Sequence, residues 1–372
     1  MNVPFLDLAA QQAEIVGEVL PVWEAQLRSA AFIGGGEVEA FEREYAAYIG
    51  VDRVVGVSNG TDALELAYRA LGVQAGDELI MPANTFIATA EAASRIGAVP
   101  VFVDVDEEYL LINPDAVEAA ITPRTRAIVP VHLFGQTAPM GHITALARRH
   151  GLGVVEDAAQ AQGASSAAGR AGSLGHVAAT SFYPGKNLGA AGDAGAVMTD
   201  DPVVAETVRN LAAHGSSVKY VHDRIGMNAR LDAIQAVVLR AKLRRLEEWN
   251  ERRRTAASLY SELLGDIEGV RTPAVRPGNT DVWHLYVIRV DDRDRVMSEL
   301  GSAGVGVGIH YPTVVPLTDA YAGAGYRPGQ FPIAEAAAAR ILSLPMFPHI
   351  TREQQETVVA RVARTVREVT HA

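Results

Sequence analysis

The chain has 372 residues, a formal net charge of −11, 48% hydrophobic and 21% charged residues, and no cysteine. Its length exceeds what one core normally serves, so a large unit at residues 1–240 and a smaller one at 241–372 are expected. The acidic balance argues against a nucleic-acid or anionic-membrane partner, the lack of cysteine excludes disulfides and thiolate metal sites, and no apolar run reaches the roughly 20 residues of a membrane span. Residues 1–8 lack a basic, apolar leader, so a cytoplasmic protein is expected.

Residues 11–30 carry an amphipathic helical pattern. A second, over 37–48, places Val38, Phe41, Tyr45 and Tyr48 on one face. Between them Gly34, Gly35 and Gly36 have neither a strand before nor Lys-Ser/Thr after, and read as a bend rather than a phosphate loop. Residues 54–57 form the first core strand. They run into Ser58, Asn59, Gly60, Thr61 and Asp62, then into a helix with Ala63, Leu66, Ala67 and Ala70 on one face. Strand, small polar turn and helix start together present free N–H groups to an anion, although Asn59 or Thr61 could equally be a plain helix cap and Asp62 is unsuited to touch an anion. Strands at 78–81, 99–103, 127–131 and 153–156 then alternate with helices at 86–97, 114–120 and 140–151. That alternation specifies an α/β fold with a mainly parallel sheet, whose ligands gather at the carboxyl ends of the strands. Strands 177–182 and 195–199 are joined too briefly for a crossover helix, so one of them runs antiparallel.

Residues 214–222, from His214 past Lys219 to His222, are polar and glycine-punctuated and read as a loop, either mobile near the site or plainly superficial. One long helix is predicted over 233–263, with Ala236, Leu239, Leu243 and Leu246 on one face and Arg252, Arg253 and Arg254 as a solvated basic run. A strand at 283–290, a helix at 291–303, a strand at 305–310 and a helix at 351–368 make a small α+β unit. Gly304, Gly306 and Gly308 lack a following helix and read as strand glycines, not a dinucleotide loop. Asp104 and Asp106 lack companion ligands, so no metal site is expected.

Three strand ends carry chemistry. The strand at 78–81 leads to Phe86, that at 153–156 to Asp157 and Gln160, and that at 177–182 to Lys186 on a Pro-Gly turn. Taken singly, Phe86 reads as a core aromatic, Asp157 as a helix cap and Lys186 as a surface lysine. Combined with the anion turn at 58–61 they supply a phosphate cradle, a flat stacking surface, a carboxylate for a ring nitrogen and an amine for an aldehyde. Pyridoxal 5'-phosphate needs that set.

The motifs Phe32 to Gly35, Ser58 to Leu64, Pro82 to Thr89, Ile121 to Ala127 and Glu156 to Gln160 continue with Ser181 to Gly189, Asn228 to Asp232, Trp283 to Tyr286 and His310 to Pro312. In residues and order they resemble the DegT/DnrJ/EryC1/StrS family of pyridoxal-phosphate-dependent nucleotide-sugar aminotransferases. The resemblance implies an aspartate-aminotransferase-like fold (fold type I), with a seven-stranded, mainly parallel sheet and a small C-terminal α+β domain. It implies that Lys186 forms the Schiff base and shuttles the proton, and that Asp157 pairs with the pyridinium nitrogen. Gln160 would lie near the ring hydroxyl and Phe86 on the ring face, while Gly60, Thr61 and Ser181 would hold the phosphate, completed by Asn228 of a second copy in a homodimer. Arg230 is a candidate charge partner near the site or a structural ion pair, and His310 and Tyr311 are candidate sugar contacts or core residues. L-Glutamate would be the amino donor, leaving pyridoxamine 5'-phosphate as the intermediate cofactor form. A dTDP-3-keto-6-deoxyhexose is the leading acceptor, with amination at carbon 4 as the alternative. A non-catalytic cofactor-binding sensor is the reading from another class, and Lys186 disfavours the dehydratases that carry histidine there. Gln162, Ala191, Ala194 and Pro316 depart from the family pattern and are expected near sugar-facing surfaces.

Overall fold

The computed structural model describes residues 1–370. It opens with helices α1 (Leu8–Ala13), α2 (Val16–Ser29) and α3 (Gly36–Ile49), so the pattern over 11–30 is spread across two helices. Gly34 and Gly35 adopt φ of 65° and 80°, the left-handed conformation that the bend before α3 requires.

The strands of the main sheet are β1 (Arg53–Val57), β2 (Glu78–Pro82), β3 (Val99–Val103), β4 (Thr125–Ile128) and β5 (Gly153–Asp157). After a two-residue hairpin, β6 (Ser165–Ser166) with β7 (Gly169–Arg170), come β8 (Val177–Ser181) and β9 (Gly195–Thr199). Helices α4 (Gly60–Ala70), α5 (Ile87–Arg95), α6 (Pro114–Ala120), α7 (Met140–His150) and α8 (Pro202–Ala212) alternate with them. The order across the sheet is β1-β9-β8-β5-β4-β2-β3. β9 is antiparallel to both β1 and β8, as its short connection demands, and the other pairs are parallel.

Successive side chains in a strand point to opposite faces, and both faces here are apolar. Val55, Val57, Leu79, Met81, Val155 and Ala179 pack in one cluster with residues of α4, α5 and α8. Val54, Ala178 and Ala196 pack with α3, while Ile80, Ile128 and Val154 pack with α6 and α7. Helices on both faces leave the carboxyl edge as the open side. There β1, β2, β5 and β8 deliver Ser58, Asn84, Asp157 and Ser181 from the ends of buried runs.

The later chain departs from several expectations. Residues 216–222 are not an irregular loop but a hairpin, β10 (Ser216–Val218) with β11 (Val221–His222). The helix predicted over 233–263 is two helices, α9 (Ala233–Leu243) and α10 (Leu246–Leu264). No Gly or Pro marks the break; Arg244 and Arg245 at the turn are held by Glu18 of α2 at 2.7 and 2.5 Å. A second, antiparallel sheet has the order β12 (Val270–Arg271), β13 (Tyr286–Val290) and β14 (Ile341–Leu344). Its core is shared with α10, α11 (Arg293–Ser302) and α13 (Arg352–Thr370), and α12 (Pro332–Arg340) leads into β14. Residues 283–285 lie outside β13, with Trp283 at φ 46°. The strand expected over 305–310 is reduced to single bridges, Val305 to Val3 and Gly308 to Ser343. A Cβ on Gly306 would lie 2.5 Å from the amide nitrogen of Phe5, so this glycine makes room for the N-terminal segment. Among the described residues no helix is long and apolar enough to cross a membrane.

The basic run at 252–254 is solvated only in part. Arg253 is 2% exposed because helical spacing puts it in line with Trp249, Ala257 and Tyr260, and it donates to the carbonyls of Trp283 and Met346 at 3.0 Å each. Arg252 and Arg254 instead pair with glutamates on the outer side. Arg253→Met should therefore lower the unfolding free energy by about 3 kcal/mol, since two buried carbonyls lose a charged donor. Arg252→Met should cost under about 1 kcal/mol. Urea denaturation of both variants measures the contrast.

Candidate active site

Where β1 ends, Asn59 caps α4 by accepting from the Asp62 amide at 2.8 Å. The Asp62 carboxylate is itself occupied, taking hydrogen bonds from Ser58 Oγ at 2.6 Å and Asn59 Nδ2 at 2.8 Å and pairing with Arg95 at 3.2 Å. The amides of Gly60 and Thr61, in the first turn, have no acceptor within the helix. A Cβ on Gly60 would stand 2.6 Å from Ser181 Cβ, so only glycine lets α4 begin against the end of β8. The result is a small concave turn of N–H groups beside the Ser181 hydroxyl, a surface that suits a phosphate.

Asp157 closes β5 and is 6% exposed. Its Oδ2 accepts from Thr89 Oγ1 of α5 at 2.7 Å and its Oδ1 from the Ala159 amide at 3.1 Å. Three residues on, Gln160 Oε1 accepts from the Phe134 amide at 2.7 Å and its Nε2 donates to Tyr311 Oη at 3.2 Å. Lys186 sits on a turn closed by its own amide donating to the Tyr183 carbonyl at 2.8 Å. Burial lowers the Lys186 pKa and the charge of Asp157 raises it, with the balance at about 8. His310 Nδ1 lies 2.8 Å from Ser343 Oγ, and burial together with Lys186 pushes its pKa down to about 4. Burial and Asp157 hold the Tyr311 phenol protonated, its pKa raised.

A cavity of about 730 Å³ joins these parts. Gly60, Thr61, Phe86, Asp157, Gln160, Ser181, Lys186, His310 and Tyr311 all line it. Phe86 is 52% exposed and touches the Tyr311 ring at 5.3 Å between centroids, so it is not a core aromatic. Asn228 and Arg230 do not line the cavity. They are exposed on the segment beside β1, where the Ala229 carbonyl accepts from the Ser58 amide, and Arg230 makes no ion pair among the described residues. The four departures from the family pattern do not line it either. Gln162 is buried and donates to Thr180 Oγ1 and the Ser181 carbonyl at 2.9 Å, while Ala194 and Pro316 are core, so the expectation that these three face a sugar is corrected; Ala191 is exposed, its amide donating to Gln235 Oε1 at 2.8 Å.

Sequence reasoning missed Thr89, His284 and the N-terminal residues Phe5 and Leu6. Thr89 lies three residues beyond Phe86, in the first turn of α5, buried against Asp157. Phe5 and Leu6 had no local signal; they reach the cavity because Val3 pairs with residues 304–306.

An amine and a buried carboxylate under an anion cradle, at the carboxyl edge of a parallel sheet, define a site for amine chemistry on a phosphorylated carbonyl cofactor. The sequence matches the DegT/DnrJ/EryC1/StrS aminotransferase family over residues 14–363, and the chain belongs to that family. It is 50% identical to the erythromycin biosynthesis sensory transduction protein EryC1 of Saccharopolyspora erythraea, over 97% of this chain and 98% of that one. It is 46% identical to the dTDP-3-amino-3,4,6-trideoxy-alpha-D-glucose transaminase of Streptomyces venezuelae, over 100% and 98%. The X-ray structure of S. venezuelae DesV in complex with a ketimine intermediate superposes with a TM-score of 0.95 at 47% identity and covers 98% of each chain. The protein is thus an aminotransferase, and pyridoxal phosphate is the cofactor of its family. The residues present fit that group: the Gly60–Ser181 cradle that a Cβ would fill, the buried carboxylate, and the half-buried amine.

Two outcomes test this geometry. In the cofactor-free protein the labelling of Lys186 by an amine reagent should rise as pH is raised through about 8, and Asp157→Asn should move that midpoint down, because the charge that favours the ammonium is gone. Competitive labelling read by mass spectrometry checks both. Gly60→Ala should weaken inorganic phosphate or cofactor binding about tenfold or more by forcing α4 away from Ser181, as measured by calorimetry.

Proposed function

We propose that the protein transfers the amino group of L-glutamate to carbon 3 of a dTDP-linked 3-keto-6-deoxyhexose, yielding the dTDP-3-amino-3,6-dideoxyhexose for amino-sugar biosynthesis. The observation that carries the reading is the convergence of Lys186 and Asp157 in one cavity with the Gly60–Ser181 cradle. The S. venezuelae transaminase, whose name carries a 3-amino sugar, supports the choice of carbon.

Bound there, pyridoxal phosphate supplies an aldehyde that condenses with amines and a ring that takes up the electron pair of a broken C–H bond. Lys186 would hold that aldehyde through Nζ and, once free, carry the proton on the same nitrogen. Asp157, oriented by Thr89, would keep the ring nitrogen protonated. Gln160 would sit near the ring hydroxyl and Phe86 on the ring face. The amides of Gly60 and Thr61 and the Ser181 hydroxyl would hold the phosphate, and His310 and Tyr311 would contact the sugar. Exposed Asn228 and Arg230 support a homodimer in which a second copy completes each site, and a cytoplasmic location follows from the nucleotide-sugar substrate.

A second reading, a cofactor-binding sensor, draws on the name of the S. erythraea relative. The complete amine, carboxylate and cradle set favours catalysis over it. Near-visible absorption of the full chain with pyridoxal phosphate should change on adding L-glutamate, and Lys186→Ala should lack the lysine-bound band. A panel of dTDP-, UDP- and GDP-linked keto-sugars, with products read by NMR, should show amination at carbon 3. Turnover of 4-keto donors alone moves the assignment to carbon 4, and a spectrum that responds to no amino donor favours the sensor.

A further inference from the structure

His284 lines the cavity but has no part in the roles above, and its hydrogen-bonding leaves one ring nitrogen unused. Asn187, the residue after Lys186, is 2% exposed. Asn187 Nδ2 donates to the Val282 carbonyl at 2.9 Å and to Asn250 Oδ1 at 2.9 Å. A backbone carbonyl only accepts, so the amide nitrogen of Asn187 must lie on that side. Asn250 is oriented in the same way, its Nδ2 donating to the Gln162 carbonyl at 2.9 Å. The Oδ1 of Asn187 is thereby turned to His284 Nδ1, 3.2 Å away. Because Oδ1 can only accept, Nδ1 must carry the proton.

Burial, and after it the charges of Lys186 and Arg253, pushes the His284 pKa well below its ordinary value; His310, itself shifted down to about 4, is neutral at working pH and adds its charge only in acid. The ring is therefore neutral at working pH. A neutral imidazole protonated at Nδ1 has a bare lone pair at Nε2. That atom bonds to no described protein atom and is absent from the sealed, unsatisfied polar atoms, and His284 lines the cavity that Lys186 also lines.

We propose that Asn187 and His284 are positioning residues for Lys186: the Asn187 carboxamide fixes the His284 tautomer, so that Nε2 faces the cavity as an acceptor for a proton on the Lys186 amine. An acceptor beside the ammonium orients its N–H bonds and favours the charged form when the amine is released. The neighbouring positions of Lys186 and Asn187 couple the two jobs, since any shift of the lysine turn also shifts the group that sets the tautomer. The inference rests on the reading of Lys186 as the reactive amine, but its test does not use turnover.

The chain has three lysines, Lys186, Lys219 and Lys242, so labelled-lysine NMR of the full, cofactor-free protein resolves each titration, with Lys219→Arg and Lys242→Arg as assignments. Long-range proton–nitrogen NMR of the same protein should show His284 protonated at Nδ1 and bare at Nε2 at neutral pH. His284→Phe should lower the Lys186 midpoint by roughly half a unit or more, because an acceptor for the ammonium is lost. Asn187→Leu should mix the His284 tautomers and lower the midpoint by a smaller amount. A merely structural role would change the melting temperature while leaving the Lys186 midpoint where it was. Finding wild-type His284 protonated at Nε2, or an unchanged midpoint in a folded His284→Phe, overturns the proposal; the tautomer measurement needs no variant and decides the matter even where one does not fold. Loss of glutamate turnover with the expected tautomer and midpoints intact would count against the catalytic reading alone.

Discussion

Burial and the field of one carboxylate act in opposite senses on the Lys186 amine, and their balance is what the rest of the molecule maintains. Desolvation by itself would leave the amine neutral but weakly held; an unshielded carboxylate by itself would keep it an ammonium. The two groups meet because β5 and β8 are adjacent and parallel, with Asp157 opposite Ala179 in register, so both chains run out at the same edge. Asp157 is kept in place by Thr89 and the Ala159 amide, which satisfy its oxygens without a cation. Lys186 is the cavity lysine on which that carboxylate acts, and a neutral His284 near it adds no competing charge.

A second constraint is steric. The phosphate-suited turn exists because α4 starts against Ser181 with no side chain at Gly60, and because Gly195 lets β9 pass the Asn59 carbonyl, where a Cβ would lie 2.5 Å away. Behind this wall a buried relay of amides runs from Gln162 through Asn250 to Asn187 and His284. In a low-dielectric interior such a chain admits few arrangements, since each amide with a misplaced donor would leave a carbonyl unsatisfied. The lysine turn is therefore fastened both to the main sheet, through Gln162 and Thr180, and to α10, through Asn250.

Much of this was legible. The alternation of β2 to β5 with α5 to α7, the reversed β9 and the residues at the strand ends follow from local periodicity and from turns too short to be anything else. Lys186, Asp157 and Gly60 were legible as a set because a cofactor imposes complementary chemistry on separate segments. Arg253 was misread because charge, not helical phase, was taken as the guide; its spacing from Trp249 and Tyr260 already put it inside. The break between α9 and α10 was invisible locally, since Glu18, which holds it, lies more than 220 residues away. The residues at 305–310 look like a strand, but their partners are an N-terminal segment and a single bridge to β14.

By itself the sequence determined the class of fold, the strand ends that carry an amine, a carboxylate and an anion turn, and membership in a family whose cofactor needs all three. These are properties of short segments, written in periodicity and in residue type. Only the tertiary structure decided that Phe5 and Leu6 reach the cavity, that Phe86 leans on Tyr311 instead of the core, that Gln162 braces β8 instead of facing a sugar, and that the Asn187 carboxamide meets His284 Nδ1. Each of those facts depends on atoms far apart in the chain meeting at hydrogen-bond or van der Waals distance, and no local pattern encodes such a meeting.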